Sequence, residues 1–341
     1  MALSSDYNTF NDIPKPGLPY VEGYEFSVIE HFPPEPLITS FILTPDEATK
    51  RENIDVLTRC LTRNPIPGRR GSRCLRLKIR EAIRVGDEKT SQIVLVDVIS
   101  GQLSSTRVVA KLYDPLYYGH SNDDVDPFIW VDVEYTRESA AYRYLHGHGQ
   151  KCGSIPDYYG SYSMDIRHSD HQVRTVRLIL LEHISGHPLT TLHPSDFPDS
   201  FWKAVMKQIV DVESQLYQIN LRHGDTHPRN VMIQGDKIDP SEPHVKFIDF
   251  GHASVGRSPN PQNSDQETRF LPGVYISPLL RWFQSRGREP VCHFEEWINW
   301  NWNEWLLGAY RSDKESITPE MIRKWLPASM RQQFQSLIEP R

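Results

Sequence analysis

The order of strand-like and helix-like segments constrains the fold of this chain more than any other feature. Alternating apolar and polar residues predict strands in the first half, and apolar residues at helical spacing predict one helix among them. The predicted elements are strands at residues 75–83, 93–98, 108–112 and 176–181, a turn at 86–90 and an amphipathic helix at 134–145. From Pro194 onward the pattern becomes mainly helical, interrupted only around Val231 and residues 245–250. The order predicts a small mixed part followed by a larger helical part.

Proline-rich and turn-forming segments indicate where these parts begin and end. The first 35 residues are rich in proline and polar residues and predict a loosely ordered arm. Residues 45–62 begin with Thr-Pro-Asp-Glu, which is typical of a helix start, and residues 64–71 form a linker. We therefore predict an α+β protein in three parts. These are an N-terminal arm with a short helix at 1–70, a small lobe at 71–185 and a helical lobe at 186–341.

Composition and charge argue against several functional classes. The chain has 341 residues and a formal net charge of -6, and its charges are spread along the sequence, which argues against a nucleic-acid partner. No apolar run approaches the roughly 18 residues of a membrane-spanning helix, and the first ten residues lack signal-peptide features. The four cysteines are far apart and show no metal-ligand spacing. We therefore expect a cytoplasmic protein with no disulfide framework and with no membrane or nucleic-acid partner.

Two short motifs in the second half carry the residue types of phosphoryl transfer. Residues 223–230 read His-Gly-Asp-Thr-His-Pro-Arg-Asn, and Asp-Phe-Gly follows at 249–251. Transfer from a nucleotide requires a carboxylate on the acceptor side, oxygen ligands for Mg²⁺ and a cation on the phosphates. Asp225 can accept the hydrogen bond of an acceptor hydroxyl. Asn230 and Asp249 offer the hard oxygen donors that Mg²⁺ prefers.

A cation for the phosphates is offered by Lys111, which lies between apolar residues of the third predicted strand. Taken alone, such a lysine is typical of a solvated strand edge. Glu138, on the predicted helix, can pair with Lys111 and orient it. Glu134 lies one helical turn earlier on the same face and is the alternative partner. The Ala-Tyr sequence that follows Glu138 favours Glu138.

Together these motifs resemble those of the protein-kinase-like superfamily. The matching sequences are His-Gly-Asp-x-His-Pro-x-Asn, Asp-Phe-Gly, Val-Ala-Lys and Glu-x-x-Ala-Tyr-x-x-Leu, and the resemblance covers about residues 72–255. Within the superfamily the chain looks most similar to the aminoglycoside and choline phosphotransferase branch and to small fungal kinase-like proteins. The resemblance implies a two-lobed kinase-like fold, with an antiparallel sheet and one helix in the first lobe. It also implies ATP and Mg²⁺ as cofactors. The implied roles are Asp225 as catalytic aspartate, Asn230 and Asp249 as magnesium ligands, Lys111 as phosphate-binding lysine with Glu138 as its partner, and the backbone of Glu182 to Ile184 as the adenine site.

Several positions depart from the pattern of this superfamily. The turn at residues 85–92 contains only Gly86, where a Gly-x-Gly-x-x-Gly phosphate loop would be expected. Gly224 and His227 stand where eukaryotic protein kinases carry an arginine and a lysine. No Ala-Pro-Glu sequence follows the Asp-Phe-Gly motif, and a polar loop is expected at 256–264. These departures argue against control by loop phosphorylation and against a peptide-docking surface.

The two histidines of the first motif have structural interpretations. His223 is expected to pack and hydrogen-bond near Asp249 rather than to act as an acid or base. His227 is interpreted as a capping or packing residue, with a phosphate contact as the alternative.

Six of the eight tryptophans lie in the C-terminal region, where residues 294–300 onward predict a helix with an aromatic face. One interpretation is an aromatic core that packs the final helices. The other is an acceptor pocket lined by indoles, which with Glu295, Glu296 and Glu304 would suit a cationic small molecule.

Three functions therefore stay open at this stage. The first is an ATP- and Mg²⁺-dependent phosphotransferase acting on a hydroxyl acceptor, preferably a small molecule. The second is an atypical Ser/Thr protein kinase. The third is a pseudokinase that binds a partner protein without phosphoryl transfer. The retained Lys111, Glu138, Asp225, Asn230 and Asp249 favour an enzyme, whereas the missing glycine-rich loop favours the scaffold.

Overall fold

The computed structural model describes residues 15–37, 41–119, 124–148, 153–257, 273–284 and 290–338. Its first unit contains the described residues up to Ala140 together with Asp157–His183, and its second contains those of 141–156 and those from Ile184 onward. The chain is a mixed α+β protein with antiparallel strand pairs, which confirms the predicted fold class at this level. Cys152 and most of the polar loop predicted at 256–264 lie outside the described residues.

The first unit is built on one six-stranded antiparallel sheet. Its strands are β1 (Glu25–Phe32), β2 (Arg69–Arg84), β3 (Gln92–Ser100), β4 (Arg107–Tyr113), β5 (Tyr158–Ser169) and β6 (Gln172–Glu182). The order is β1, β2, β3, β4, β6, β5, and the sheet closes on itself because β1 also pairs with β5. Alternate residues of these strands bury Val, Ile, Leu and aromatic side chains in one core. The predicted hairpin and the strands predicted at 108–112 and 176–181 are confirmed.

Two strands, β1 and β5, are not among the predicted ones. Residues 1–35 were assigned to a loosely ordered arm, whereas residues 25–29, 31 and 32 pair with β2, with a register shift between Ile29 and His31. Glu30 is buried in β1 and accepts a hydrogen bond of 2.6 Å from Arg73 Nε, so a charged residue breaks the alternation that identifies a strand. In β5 the buried positions include Ser161, whose hydroxyl donates to Ser139 at 3.1 Å. The predicted linker is also shorter than expected, because β2 already begins at Arg69.

Side-chain caps fix where the first three helices begin. These helices are α1 (Pro45–Asn53), α2 (Val56–Thr62) and α3 (Pro127–Gly147). Thr44 and Asp55 accept hydrogen bonds from the backbone at the start of α1 and α2, and Asp126 does so for α3. The single helix predicted at 45–62 is therefore two helices, because Asp55 caps a second start. The helix predicted at 134–145 is confirmed and begins earlier.

The second unit is mainly helical, as predicted, and contains five short strands. Its helices are α4 (Asp199–Gln218), α5 (Pro278–Arg281), α6 (Trp302–Ala309), α7 (Pro319–Trp325) and α8 (Ala328–Ile338). Its strands are β7 (Gly186–Pro188), β8 (Leu221–Arg222), β9 (Val231–Gln234), β10 (Val245–Phe247) and β11 (Ser254–Val255). β9 pairs with β7 and β10, and β8 pairs with β11. No helix in the described ranges combines the length and apolar character needed to cross a lipid bilayer.

Four of the six C-terminal tryptophans are buried in an aromatic core, and the other two are half-buried. Trp282, Trp297, Trp302 and Trp325 are buried, while the three glutamates at positions 295, 296 and 304 are exposed. The indole of Trp302 donates to the Trp282 carbonyl at 2.7 Å, and that of Trp297 donates to the Leu192 carbonyl at 3.1 Å. The prediction of one continuous helix from residue 294 onward is wrong. A 3₁₀ segment ends at Trp297, and the chain turns before α6.

Candidate active site

Two loops of the second unit carry the acidic motifs, and paired strands hold both ends of each loop. Residues 223–230 connect β8 to β9, and residues 248–253 connect β10 to β11. β8 pairs with β11, and β9 pairs with β10 from Val231↔Phe247 onward. The ladder continues one step into the loops, because Ile248 N donates to the Asn230 carbonyl at 2.9 Å. Asp249 follows Ile248 directly, so the pairing brings the two predicted magnesium ligands to neighbouring backbone positions.

His223 and Gly224 fix the path of the first loop. His223 is buried, its Nδ1 accepts from Asp225 N at 3.3 Å, and its Nε2 lies 3.1 Å from the Ile248 carbonyl. Burial lowers the pKa of this imidazole, in keeping with a neutral ring that joins the two loops. Gly224 has φ +83°, and a Cβ there would lie 2.1 Å from the His252 carbonyl oxygen. The close approach of the two loops therefore requires glycine at this position.

The Asp225 carboxylate is held by two neighbours from its own loop. Arg229 Nη2 lies 2.7 Å from each carboxylate oxygen, and Asn230 Nδ2 donates to Oδ2 at 2.8 Å. Burial raises the pKa of the Asp225 carboxyl, but the hydrogen bond and charge of Arg229 and the amide of Asn230 outweigh burial and hold the pKa below its usual value. The side chain is 22% exposed. Asp225 is therefore an ionised, oriented carboxylate with access to solvent.

The side chains of Asn230 and Asp249 fit the chemistry of a magnesium site. Both N–H contacts of the Asn230 amide go to Asp225, one to the carboxylate and one to the carbonyl, and no described residue donates to its Oδ1. Asp249 adopts φ 64°, an uncommon backbone conformation for a residue other than glycine. An amide oxygen and a carboxylate are hard ligands, and Mg²⁺ usually takes its remaining ligands from water and phosphate. Within the described ranges, no group of three or more His, Cys, Asp or Glu side chains could hold a metal ion.

Lys111 and Glu138 form a buried ion pair in the first unit. Lys111 Nζ lies 2.6 Å from Glu138 Oε2, and the two side chains are 6% and 0% exposed. Tyr113 follows Lys111 by two residues on β4, so it faces the same side of the strand, and its hydroxyl donates to the same Oε2 at 2.5 Å. Glu134 instead accepts from the Trp130 indole at 3.0 Å. The expected pairing of Lys111 with Glu138 rather than Glu134 is confirmed.

In the segment expected to bind adenine, the backbone of Glu182 and the backbone of Ile184 differ in their hydrogen bonds. The N–H of Glu182 donates to the Asp157 carbonyl at 2.8 Å, and its carboxylate accepts from Asp157 N at 3.1 Å. The Glu182 N–H is therefore already used. Neither the N–H nor the carbonyl of Ile184 makes a hydrogen bond with a described residue. Ile184 is the better placed of the two for a purine edge.

The side chain of Gln92 closes the turn between β2 and β3 by hydrogen-bonding to the backbone of Gly86. The Gln92 side-chain oxygen accepts from Gly86 N at 2.8 Å, and its amide donates to the Gly86 carbonyl at 2.8 Å. Gln92 is completely buried. The amide of the only glycine in this turn is thus occupied.

The structure arranges the predicted site residues in two groups. Lys111 and Glu138 pair in the first unit, while Asp225, Asn230 and Asp249 lie on adjoining loops of the second. Sequence reasoning missed two residues that contact these groups, Tyr113 and Arg229, and it missed Gln92, which closes the turn at Gly86. The spacing of Tyr113 from Lys111 on one strand was a usable signal, whereas Arg229 lies four residues after Asp225 in a loop, where that spacing has no fixed meaning. His227 caps the 3₁₀ turn 228–230 through its Nδ1, as its capping interpretation expects.

Comparison with known proteins gives no match to a family model and no match to a curated protein.

Proposed function

We propose that this chain is a protein-kinase-like phosphotransferase with two lobes that uses ATP and Mg²⁺ to phosphorylate the hydroxyl of a small molecule. The observation that carries the proposal is the environment of Asp225 and Asn230. One amide orients a solvent-accessible carboxylate through its nitrogen and keeps its oxygen without a described partner. A carboxylate for the acceptor and an oxygen for a metal are thereby tied together, as phosphoryl transfer requires.

Each residue group has a defined part in this reaction. Asp225 receives the hydrogen bond and then the proton of the acceptor hydroxyl. The hydroxyl oxygen forms a bond to the terminal phosphorus of ATP, the bond from that phosphorus to the bridging oxygen breaks, and ADP leaves. Lys111, oriented by Glu138, binds the nonreacting phosphates, and Ile184 offers backbone groups to the adenine. Asn230 and Asp249 would hold Mg²⁺, which neutralises charge on the phosphates.

The location of the activity follows from the same chemistry. ATP is an intracellular substrate, and we place the protein in the cytoplasm as part of the proposal.

Binding of Mg-ATP tests the proposal without knowledge of the acceptor. A ligand present at 100 times its Kd stabilises the native state by about 2.7 kcal/mol, so Mg-ATP should raise the melting temperature. Asp249→Asn should remove the Mg²⁺-dependent part of this rise. Asp236→Asn, at an exposed carboxylate of the same unit, is the matched control and should keep it. A rise that is unchanged in Asp249→Asn would contradict the metal assignment.

The closed turn at Gly86 favours a second candidate, a pseudokinase that binds a partner protein. A phosphate-covering loop donates backbone N–H groups to the nucleotide, and here the Gly86 N–H already donates to Gln92. Under this alternative Mg-ATP would leave the melting temperature of the protein unchanged. Gln92→Ala distinguishes the two candidates further, because freeing the Gly86 amide should strengthen nucleotide binding only in a protein that binds nucleotide.

A further inference from the structure

The guanidinium of Arg229 occupies the acceptor side of the proposed catalytic carboxylate. Its Nη2 contacts both oxygens of Asp225 at 2.7 Å, while Asn230 contacts only Oδ2. A carboxylate oxygen has two lone-pair directions, so Oδ2 is saturated and Oδ1 keeps one acceptor position. An acceptor hydroxyl that donates to Asp225 would therefore bind at Oδ1, directly beside the guanidinium.

The rest of this guanidinium is available to a ligand. Arginine carries five N–H donors in a rigid fork, of which three belong to Nε and Nη1. Within the described ranges, neither Nε nor Nη1 of Arg229 makes a hydrogen bond, and the side chain is 56% exposed. No described carboxylate other than Asp225 pairs with it. Unused N–H donors of a cation next to the reacting position favour hydrogen bonds to a carboxylate or phosphate group.

Further donor groups lie around the same loop. His227 Nδ1 accepts from Arg229 N at 3.3 Å, and the ring centroid of His293 is 4.7 Å from that of His227. Two imidazoles therefore lie on or beside this loop. The unused N–H donors of the Arg229 cation favour an anionic ligand over a cationic one.

We propose that Arg229 recognises the acceptor, and that the acceptor is a small hydroxy compound with an anionic carboxylate or phosphate group close to the phosphorylated hydroxyl. This inference rests on the proposed phosphotransferase function. The Nη2 group stays on Asp225, while an N–H of Nη1 or Nε donates to an oxygen of the anionic group of the acceptor. The hydroxyl is thereby placed at Oδ1, so Arg229 determines specificity and Asp225 takes the proton.

The test compares matched acceptors by the rate of ADP release from Mg-ATP. Glycerate and glycerol 3-phosphate are the anionic acceptors tested, glycerol is their neutral counterpart, and choline is the cationic acceptor. Wild type should turn over at least one anionic probe with a kcat/KM at least tenfold above that for glycerol. Arg229→Gln should raise the KM for that probe by about 10- to 100-fold, as for lost hydrogen bonds to a charged group, and should also lower kcat because Asp225 loses its Nη2 contacts, with little change in the KM for ATP. Arg229→Lys, which keeps the charge but loses the fork, should restore part of the affinity.

Arg311→Gln is the matched control. Arg311 is an exposed arginine of the same unit without a described hydrogen bond, and its replacement should leave every rate unchanged. A preference for glycerol or choline, or an unchanged KM in Arg229→Gln, would overturn the inference while leaving phosphotransfer intact. Absence of ADP release with every probe, together with no Mg-ATP effect on melting, would overturn the proposed function and the inference with it.

Discussion

Replacing Lys111 by methionine tests the buried ion pair of the proposed phosphate site. Lys111 Nζ lies 2.6 Å from Glu138 Oε2, and neither side chain is more than 6% exposed. Removing one partner of a buried pair costs about 3–5 kcal/mol, because the other charge stays buried without its counter-ion, here Lys111. We expect Lys111→Met to lower the free energy of unfolding by that amount.

A second substitution separates the ion pair from the packing around it. Adding Glu138→Gln to Lys111→Met removes the buried negative charge, and the amide oxygen of the new side chain can still accept a hydrogen bond from Tyr113. The double variant should therefore regain roughly 1–3 kcal/mol relative to Lys111→Met. Because it lacks the cation for the phosphates, the folded double variant should still lose most of the stabilisation by Mg-ATP.

Urea unfolding followed by far-ultraviolet circular dichroism measures these free energies. Seven of the eight tryptophans belong to the second unit, so their fluorescence in the same titration shows whether the loss is confined to the first. A cost below about 1 kcal/mol for Lys111→Met, the size found for exposed pairs, would refute burial of the pair. A double variant no more stable than the single variant would refute direct coupling of the two charges.

Three further predictions concern single side chains. Tyr113→Phe removes one hydrogen bond to a buried carboxylate and should cost about 1.5–3 kcal/mol in urea unfolding, with weaker binding of Mg-ATP in isothermal calorimetry. Burial and the nearby charge of Arg177 lower the pKa of His31 to about 4, below the value of about 6.5 in an unfolded chain, so the unfolded state binds more protons between these values. Stability should fall as pH drops through this range, by about 3 kcal/mol, and His31→Gln should remove this part of the pH dependence of urea unfolding. In Gly224→Ala the new Cβ is strained by a positive φ and also clashes with the His252 carbonyl oxygen, whereas in Gly256→Ala only the positive φ of +79° is unfavourable. Gly224→Ala should therefore lower the midpoint of urea unfolding, measured by tryptophan fluorescence, clearly more than Gly256→Ala.

The sequence predicted those parts of the fold in which the local pattern agrees with the tertiary contacts. The β2–β3 hairpin and α3 were predicted from the spacing of apolar residues and from turn residues. The position of Glu138 on α3 then predicted its pairing with Lys111. Strand β1 escaped prediction because two of its buried residues, Glu30 and His31, are polar. Their burial depends on Arg73 and Tyr135, which are distant in sequence. Period analysis cannot anticipate such partners.

The same distinction holds for the candidate site. Asp225, Asn230 and Asp249 were singled out because their spacing in the sequence resembles that of the kinase-like motifs, and the structure places them on adjoining loops. The clamp of Gln92 on Gly86 and the contact of Arg229 with Asp225 depend on loop conformations that composition does not determine. In the proposed function, these two contacts would affect nucleotide affinity and acceptor choice.

Turnover of ATP by wild type and by Asp225→Asn tests the central claim most directly. The substitution keeps the shape of the side chain and removes the charge that receives the hydroxyl proton. With the acceptors named above, we expect transfer to fall by roughly 10²- to 10⁴-fold, while Mg-ATP still raises the melting temperature of the variant. Equal turnover in the two proteins would contradict the assignment of Asp225 as the catalytic residue, and no turnover in wild type together with no effect of Mg-ATP on melting would contradict the proposed function.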